Sequence, residues 1–277
     1  MKMKLFSYNF ENTLIHRLSG LTKLICFLLL SFAVMFSYDI RVILGAMVFS
    51  FWVLRVSKIK FSQIKLMVIY VFFFLLTNAI ITFLFAPELG VSIYGTRHEL
   101  VKLFGPYNLT SEQLFYQTTK LLKYAAVVPL GIIFLLTTNP SEFASSLNGV
   151  KVNYKAAFSV ALTLRYFPDI QRNYQEISQA QQARGLELSD KANLVDRFKN
   201  SLLIVIPLIF STLDRIEMIT NAMDLRGFAK GKKRTWYNTK KMDLEDYYAL
   251  AVSVAFFAIT VSVSMFVNHS RYFNPFV

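Results

Sequence analysis

Long apolar stretches separated by short polar ones dominate the first half of the chain, and one more lies near its C-terminal end. A helix needs about twenty mostly apolar residues to cross a bilayer, because its backbone polar groups must be satisfied within the segment. Only Tyr38 and Asp39 separate the first two stretches, which predicts a tight antiparallel hairpin. The pattern predicts five membrane-spanning helices: Leu21–Ser37, Ile40–Val56, Leu66–Ala86, Tyr124–Thr137 extended back through Leu121, and Tyr248–Val267.

A different pattern fills residues 139–247, where apolar positions recur every three or four residues, as is typical of amphipathic helices. The sequence Asn139-Pro140-Ser141-Glu142 predicts a helix start, with a capping Asn and a Pro at the first helical position. Two long helices are predicted to follow, roughly Tyr154–Arg184 and Leu194–Arg226.

Two prolines and one apolar stretch depart from the regular amphipathic pattern of these helices. Pro168 and Pro207 are predicted to kink them. The stretch Leu202–Phe210 is apolar on all sides but too short to span, and we interpret it as lying at the membrane surface or under the spans.

The predicted fold is an all-α polytopic membrane protein in three parts. Residues 1–138 contain the first four membrane helices, residues 139–247 form a cytoplasmic coupling-helix domain, and residues 248–277 contain the last membrane helix and a short outer tail.

Charge decides the orientation of this fold. Lys and Arg outnumber Asp and Glu by 30 to 17, and the basic residues concentrate at the N-terminus, in the loop after the second span and within 139–247. By the positive-inside rule the N-terminus and residues 139–247 are predicted to be cytoplasmic, and the loop Pro87–Gln117 to lie outside. Lys120 and Lys123, at the outer end of the fourth span, are then expected to extend their amines toward the headgroups.

Composition narrows the class of protein further. With 55% apolar and 17% charged residues, the chain is unlike a soluble domain. The basic stretch Lys230–Arg234 is interpreted as binding anionic lipid, not nucleic acid. Trp236 and Tyr237 beside it are interpreted as an interfacial anchor.

The two long helices end alike, in Ala183-Arg184-Gly185 and in Leu225-Arg226-Gly227. Glycine after a helix can adopt a left-handed conformation that stops it, and arginine in the last turn faces the negative end of the helix dipole. Such a cap alone would explain one tripeptide. Two of them on long helices of one segment favour a second role, in which each exposed guanidinium pairs with carboxylates of a partner protein.

Several motifs together resemble one known family, the T component of energy-coupling factor transporters, a branch of the ABC importers. They are Arg17–Lys23, Thr137–Pro140 with Glu142, Arg165–Pro168, Ala180–Gly185, and Ala222–Phe228 followed by Arg234-Thr235. Leu225 stands where the family often has Ala or another small residue, while Arg226 and Gly227 follow the pattern.

The resemblance implies a non-catalytic subunit in the bacterial cell membrane. Two ABC-type ATPases would dock at the tripeptides around Arg184 and Arg226, and a small membrane-embedded S component would hold a vitamin or other micronutrient. ATP and Mg²⁺ would be bound by the ATPases, with no cofactor in this chain. The sequence agrees, since Gly227–Lys232 is one residue short of a phosphate-binding loop and lacks its hydroxyl.

Two other functions remain open from the residues alone. A self-contained secondary transporter with a regulatory helical segment would ordinarily place ionisable groups within its spans, whose interiors hold no Asp, Glu or Arg. A membrane-embedded enzyme would need clustered acids, for which the candidates are Asp169, Glu176, Asp214 and Glu217. The three histidines and Cys26 are scattered, so no metal site is predicted.

Overall fold

The structure is a computed structural model that describes residues 13–59, 61–101, 107–186, 194–228, 230, 235–236, 240 and 242–276, with the side chains of 61–63 and 194–198 excepted. The chain divides into two compact units, a first unit of Met1–Glu142 with Thr239–Val277 and a second unit of Phe143–Asn238. The basic residues at 232–234, Tyr237 and Lys241 lie outside the described residues.

The first unit is a helical bundle, and each of the five predicted spans is a helix in it. Its elements are α1 (Leu14–Arg17), α2 (Gly20–Phe36), α3 (Ile40–Val56), α4 (Phe61–Phe85), α5 (Leu89–Tyr94), β1 (Glu99–Val101), β2 (Leu109–Thr110), α6 (Ser111–Thr137) and α10 (Leu244–Ser262), which a π-helical turn extends over Val263–Val267.

Three of the helices formed by the described residues are long and apolar enough to cross a membrane: Ile64–Phe85, Ser111–Thr137 and Leu244–Val267. Gly20–Phe36 is a shorter apolar helix, and α3 matches its predicted bounds. The all-α polytopic membrane fold is therefore confirmed, while the crossing of the bilayer by α2 and α3 stays a prediction.

The core of the bundle lies where α2, α3 and α6 meet. Val34, Ile43, Ala46 and Ala126 are buried there, and Met47, Leu122, Val127 and Phe256 pack around them. In contrast, no residue of α4 from Lys65 to Phe85 is buried, and large side chains such as Phe72 and Phe85 are exposed. This exposure is what a lipid-facing helix requires.

The start of α6 corrects the prediction, since the helix begins at Ser111 and not near Leu121. The Thr110 hydroxyl caps it by accepting from Gln113 N at 3.3 Å. The polar residues that interrupt the hydropathy pattern are buried against α5 and the β1–β2 hairpin: Gln113 Oε1 accepts from Gly90 N at 2.7 Å. The approach needs glycine, because a Cβ at Gly90 would lie 2.5 Å from the backbone nitrogen of Gln113.

The two lysines on α6 have partners within the bundle. The Lys123 side chain is buried, its Nζ donates to Met35 O at 2.6 Å and lies 3.5 Å from the centre of the Tyr38 ring. Lys120 Nζ donates to Thr82 Oγ1 at 2.7 Å. Each amine thus has a hydrogen-bond acceptor on a neighbouring helix, and its position relative to the headgroups stays a prediction.

The C-terminal tail, predicted only as a short outer segment, packs back onto the turn between α2 and α3. Tyr38 N donates to Arg271 O at 2.7 Å, and Asn268 Nδ2 donates to Asp39 Oδ2 at 2.9 Å. Burial disfavours the charged form of Asp39, but hydrogen bonds from Arg41 and Asn268 outweigh it and hold the pKa of Asp39 below its ordinary value. The tail is thus part of the bundle.

The second unit contains long helices with the predicted bounds. Ser141 N donates to Asn139 Oδ1 at 3.1 Å, which confirms the predicted helix start. The helices α8 and α9 continue through Pro168 and Pro207, and the kinks stay a prediction. The elements are α7 (Pro140–Gly149), which begins in the first unit, α8 (Tyr154–Ala183) and α9 (Leu194–Leu225).

The helices α8 and α9 pack against each other through one apolar face each. Leu162 and Ile170 of α8 line the same groove as Ile216 and Ile219 of α9. The apolar stretch Leu202–Phe210 lies inside α9 and leaves several large side chains exposed. Its position relative to the membrane stays a prediction.

Candidate functional site

The first arginine tip closes α8 with backbone hydrogen bonds in a helix-stop geometry. Leu186 N donates to Gln181 O at 3.0 Å, and Gly185 N donates to Gln182 O at 2.9 Å. Gly185 has φ +90°, a left-handed conformation that a side chain would strain. The bond that spans five residues is the mark of a Schellman motif, which satisfies carbonyls that the helix end would leave unpaired.

The second arginine tip repeats this geometry at the end of α9. Phe228 N donates to Met223 O at 2.9 Å, and Gly227 N donates to Asp224 O at 2.9 Å. Gly227 has φ +67°. The left-handed glycines predicted from the two tripeptides are confirmed, and the sequence similarity of the two ends is also a structural one.

Both arginine side chains lie at the surface of the second unit. Arg184 and Arg226 are exposed, as are Ala183 and Leu225 beside them, and Leu225 is 90% exposed. Within the described part of the chain, neither guanidinium has a hydrogen bond or an ion pair. An arginine held on a rigid backbone with its donors unused is suited to bidentate pairing with carboxylates of another protein.

The surroundings of the two tips differ. Phe228, which follows the second tip, packs with its ring centre 4.7 Å from that of Phe158 and 6.1 Å from that of Tyr154. Trp236 joins this aromatic cluster at 5.3 Å from Tyr154, and its Nε1 donates to Asn148 Oδ1 at 3.2 Å. The cluster ties the end of α9 to the start of α8.

Trp236 has a packing role in this cluster, because its ring lies within the second unit and its N–H has a protein acceptor, while its role as an interfacial anchor stays a prediction. The sequence held one signal for the cluster: Tyr154 and Phe158 are four residues apart in the first turns of a helix and so lie on one face. Nothing in the pattern indicated that residues 228 and 236 return to that face.

The candidates for other functions are not brought together. Asp169 Oδ2 lies 3.7 Å from Arg215 Nη1 in an exposed ion pair between α8 and α9. The described residues contain no group of three or more His, Cys, Asp or Glu side chains that could hold a metal ion. His98 instead hydrogen-bonds the buried Glu112, and His16 lies beside the Thr13 hydroxyl.

Two further motifs of the sequence meet in the first unit, which the sequence pattern did not indicate. Lys23, at the end of the motif Arg17–Lys23, donates from Nζ to Thr137 O at 2.8 Å and lies 3.9 Å from Glu142 Oε2. Thr137 and Glu142 both belong to the motif that opens the segment after the fourth span.

The helical bundle with its apolar spans and the second unit of long helices define a polytopic α-helical membrane protein. The sequence model of the family described as "CbiQ: Cobalt transport protein" matches residues 11–237, more than half of the chain. The chain belongs to this family, as a T component of a multi-subunit energy-coupling factor transporter.

Curated relatives agree with this assignment over nearly their whole length. The "Energy-coupling factor transporter transmembrane protein EcfT" of Streptococcus equi subsp. equi (strain 4047) is 24% identical over 269 residues, which cover 91% of this chain and 93% of the relative. The protein of the same name from Exiguobacterium sibiricum is 25% identical over 252 residues, covering 87% of this chain and 91% of the relative.

Proposed function

We propose that this chain is the coupling subunit of an importer in the bacterial cell membrane. Arg184 and Arg226, with the residues on either side of each, dock one ABC-type ATPase apiece. The second unit passes the movement of the ATPases to a membrane-embedded S component that holds a vitamin or other micronutrient. The single observation that carries the proposal is the pair of matching helix tips, each with an exposed guanidinium lacking a partner in the described chain.

Docking at a tip suits the transmission of force. A Schellman end satisfies the last carbonyls of the helix and holds the arginine backbone in one conformation, so a load on the side chain reaches the helix axis. Each helix runs unbroken from its tip, over 30 residues in α8 and 32 in α9. At about 1.5 Å per residue, each carries a displacement of its tip over some 45 Å.

The division of labour follows from what the chain lacks and from its charge. The sequence has no phosphate-binding loop, so ATP and Mg²⁺ belong to the docked ATPases. Positive charge at the N-terminus and within residues 139–247 supports a cytoplasmic location for both, the side on which the ATPases find their nucleotide.

The test is a double charge reversal, Arg184→Glu with Arg226→Glu, in the chain co-expressed with its ATPases and S component. A carboxylate at each tip repels the acidic groove that an arginine would enter, so we expect the ATPases to be lost from the complex purified in mild detergent. ATPase content is measured by quantitative mass spectrometry.

The matched control is Arg172→Glu with Lys199→Glu, which changes the net charge equally at exposed positions along α8 and α9. We expect this variant to retain its ATPases. Full retention by the tip variant would refute the docking role, and equal loss in both would show that overall charge, and not the tips, holds the ATPases.

A further inference from the structure

Lys23 occupies a position that its own helix disfavours. It lies in the first turn of α2, where the helix dipole presents its positive end, and its side chain is only 4% exposed. A buried cation at a helix start is costly unless other elements compensate it. The reason for a lysine here must therefore be sought in the contacts of its amine.

Those contacts join three other elements. The amine donates to Thr137 O, in the last residue of α6, at 2.8 Å and to His16 O, in the last turn of α1, at 3.4 Å. Both carbonyls belong to helix ends that carry negative partial charge. Glu142 Oε2, in the first turn of α7, lies 3.9 Å from the same amine.

These contacts lie on both sides of one short link. Only Thr138 and Asn139 separate α6 from α7. Thr137 stands before the link and Glu142 after it, and one ammonium group contacts both. Thr138 N donates to Phe134 O and Asn139 precedes a proline, but the remaining backbone dihedrals of this two-residue link can still act as a hinge.

A second buried charge holds the same end of the bundle. Asp246, in the first turn of α10, is 2% exposed. Its Oδ1 accepts from Ser19 N at 2.8 Å, and its Oδ2 accepts from Asp243 N at 2.9 Å. A carboxylate beside the starts of α2 and α10 is favoured by both helix dipoles. The start of α2, from which Lys23 projects, is thereby itself held in place.

We propose that Lys23 is a positioning residue that stiffens the link between α6 and α7, so that movement of the second unit is passed into the membrane helices and is not absorbed at the link. This role rests on the proposed function, because the movement it passes on is that of the docked ATPases. Without the amine, the ATPases still bind and hydrolyse ATP, but the bundle no longer follows them.

The thiol of Cys26 is a native chemical probe with which this proposal can be tested. Cys26 is the only cysteine in the sequence, lies one turn after Lys23 and is half-buried. It lines, together with Lys23, a cavity of about 430 Å³ between the helices of the bundle. The rate at which N-ethylmaleimide labels Cys26 therefore reports on the packing of α2 beside the link.

The experiment compares labelling of the whole reconstituted complex with ATP and with ADP plus vanadate. We expect the wild-type labelling rate to depend on the nucleotide, and Lys23→Met to lose that dependence while its rate of ATP hydrolysis is unchanged. Persistence of the dependence in Lys23→Met, or its absence in the wild type, overturns the proposal.

Lys123→Met is the matched control. Lys123 is also buried and also donates to a carbonyl in the last turn of a neighbouring helix, at Met35, but it lies far from the link in the sequence of α6. Both variants remove a buried amine that donates to a backbone carbonyl of another helix, so the comparison tests the position of the lost amine. We expect Lys123→Met to keep the nucleotide dependence, and its loss there would overturn the proposal.

Glu142→Gln provides a second variant if Lys23→Met fails to assemble. It removes the charge on the α7 side of the link and leaves the bond from Lys23 to Thr137 in place. We expect a reduced nucleotide dependence, and an unchanged one would count against the clamp. Failure of the docking role would show itself separately, as ATPases that stay bound when both arginine tips are reversed.

Discussion

The two units of the molecule use polar side chains in opposite ways. In the first unit charged groups are buried and paired, as at Lys23, Asp39, Glu112 and Asp246. In the second unit charged side chains such as Arg184 and Arg226 are exposed. A buried charge needs partners inside the fold, whereas an exposed one is available to another molecule. The contrast shows that charge serves structure in the first unit and is left accessible to other molecules in the second.

The largest effect that would test this contrast is expected at Glu112. Its buried carboxyl accepts from His98 N at 3.0 Å and from Thr96 Oγ1 at 3.0 Å. Glu112→Ala leaves these donors without an acceptor, and we expect a loss of about 3 kcal/mol in the free energy of unfolding. Thermal unfolding in detergent measures it.

The matched control in the second unit is Glu176→Ala, which removes the same side chain from an exposed position on α8. We expect its effect to stay within about 0.5 kcal/mol. Equal destabilisation by the two variants would show that the units do not differ in their use of charge.

A smaller loss of stability is expected in the aromatic cluster, which packs beside the arginine tip of α9 in the second unit. Phe158→Ala removes the ring that contacts both Phe228 and Trp236, and we expect a local loss of about 2 kcal/mol. In a Trp52→Phe background, the fluorescence of Trp236 should shift to the red as the indole becomes hydrated.

Phe167→Ala, on the same helix but 47% exposed, should leave the emission of Trp236 unchanged. A red shift in that control would mean that the emission reports on α8 as a whole. Loss of the cluster should also weaken ATPase retention at the tip of α9 more than at the tip of α8, since only the former adjoins it.

The smallest effect is expected at the glycines of the tips, and here the two tips should agree. A Cβ at Gly185 meets no atom within 4 Å, and one at Gly227 meets only the Lys230 side chain at 3.5 Å. Gly→Ala at either site should therefore cost only the left-handed backbone strain, about 1 kcal/mol. Hydrogen exchange in the last turns of α8 and α9 measures it.

Gly45→Ala tests the sign of that effect. Gly45 lies within α3 with nothing within 4 Å of its would-be Cβ, so alanine there should stabilise the helix by roughly 0.5–1 kcal/mol. If the tip variants were also stabilising, the left-handed glycines would not be what ends α8 and α9.

Much of the fold follows from periodicity alone, since apolar runs and amphipathic repeats are local properties of a helix. The bounds of α3 and α8 agree closely with their patterns, as do the two glycine stops. The caps at Asn139 and Gly185 depend on residues within one helical turn, so the neighbouring residues in the sequence suffice to predict them. The docking role of the tips remains a prediction, because it depends on a partner.

Features that depend on contacts between residues far apart in the sequence became clear only from the tertiary structure. The sequence determined that the chain is a membrane-spanning helical protein with two arginine-tipped helices, because hydrophobic period and capping are encoded locally. It did not determine that α6 begins ten residues early, that Lys123 is buried, or that Lys23 meets Thr137 and Glu142. Those facts depend on which helices become neighbours. A polar side chain that interrupts an apolar pattern can be buried only where another helix supplies its hydrogen-bond partner, and the sequence does not say which helix that is.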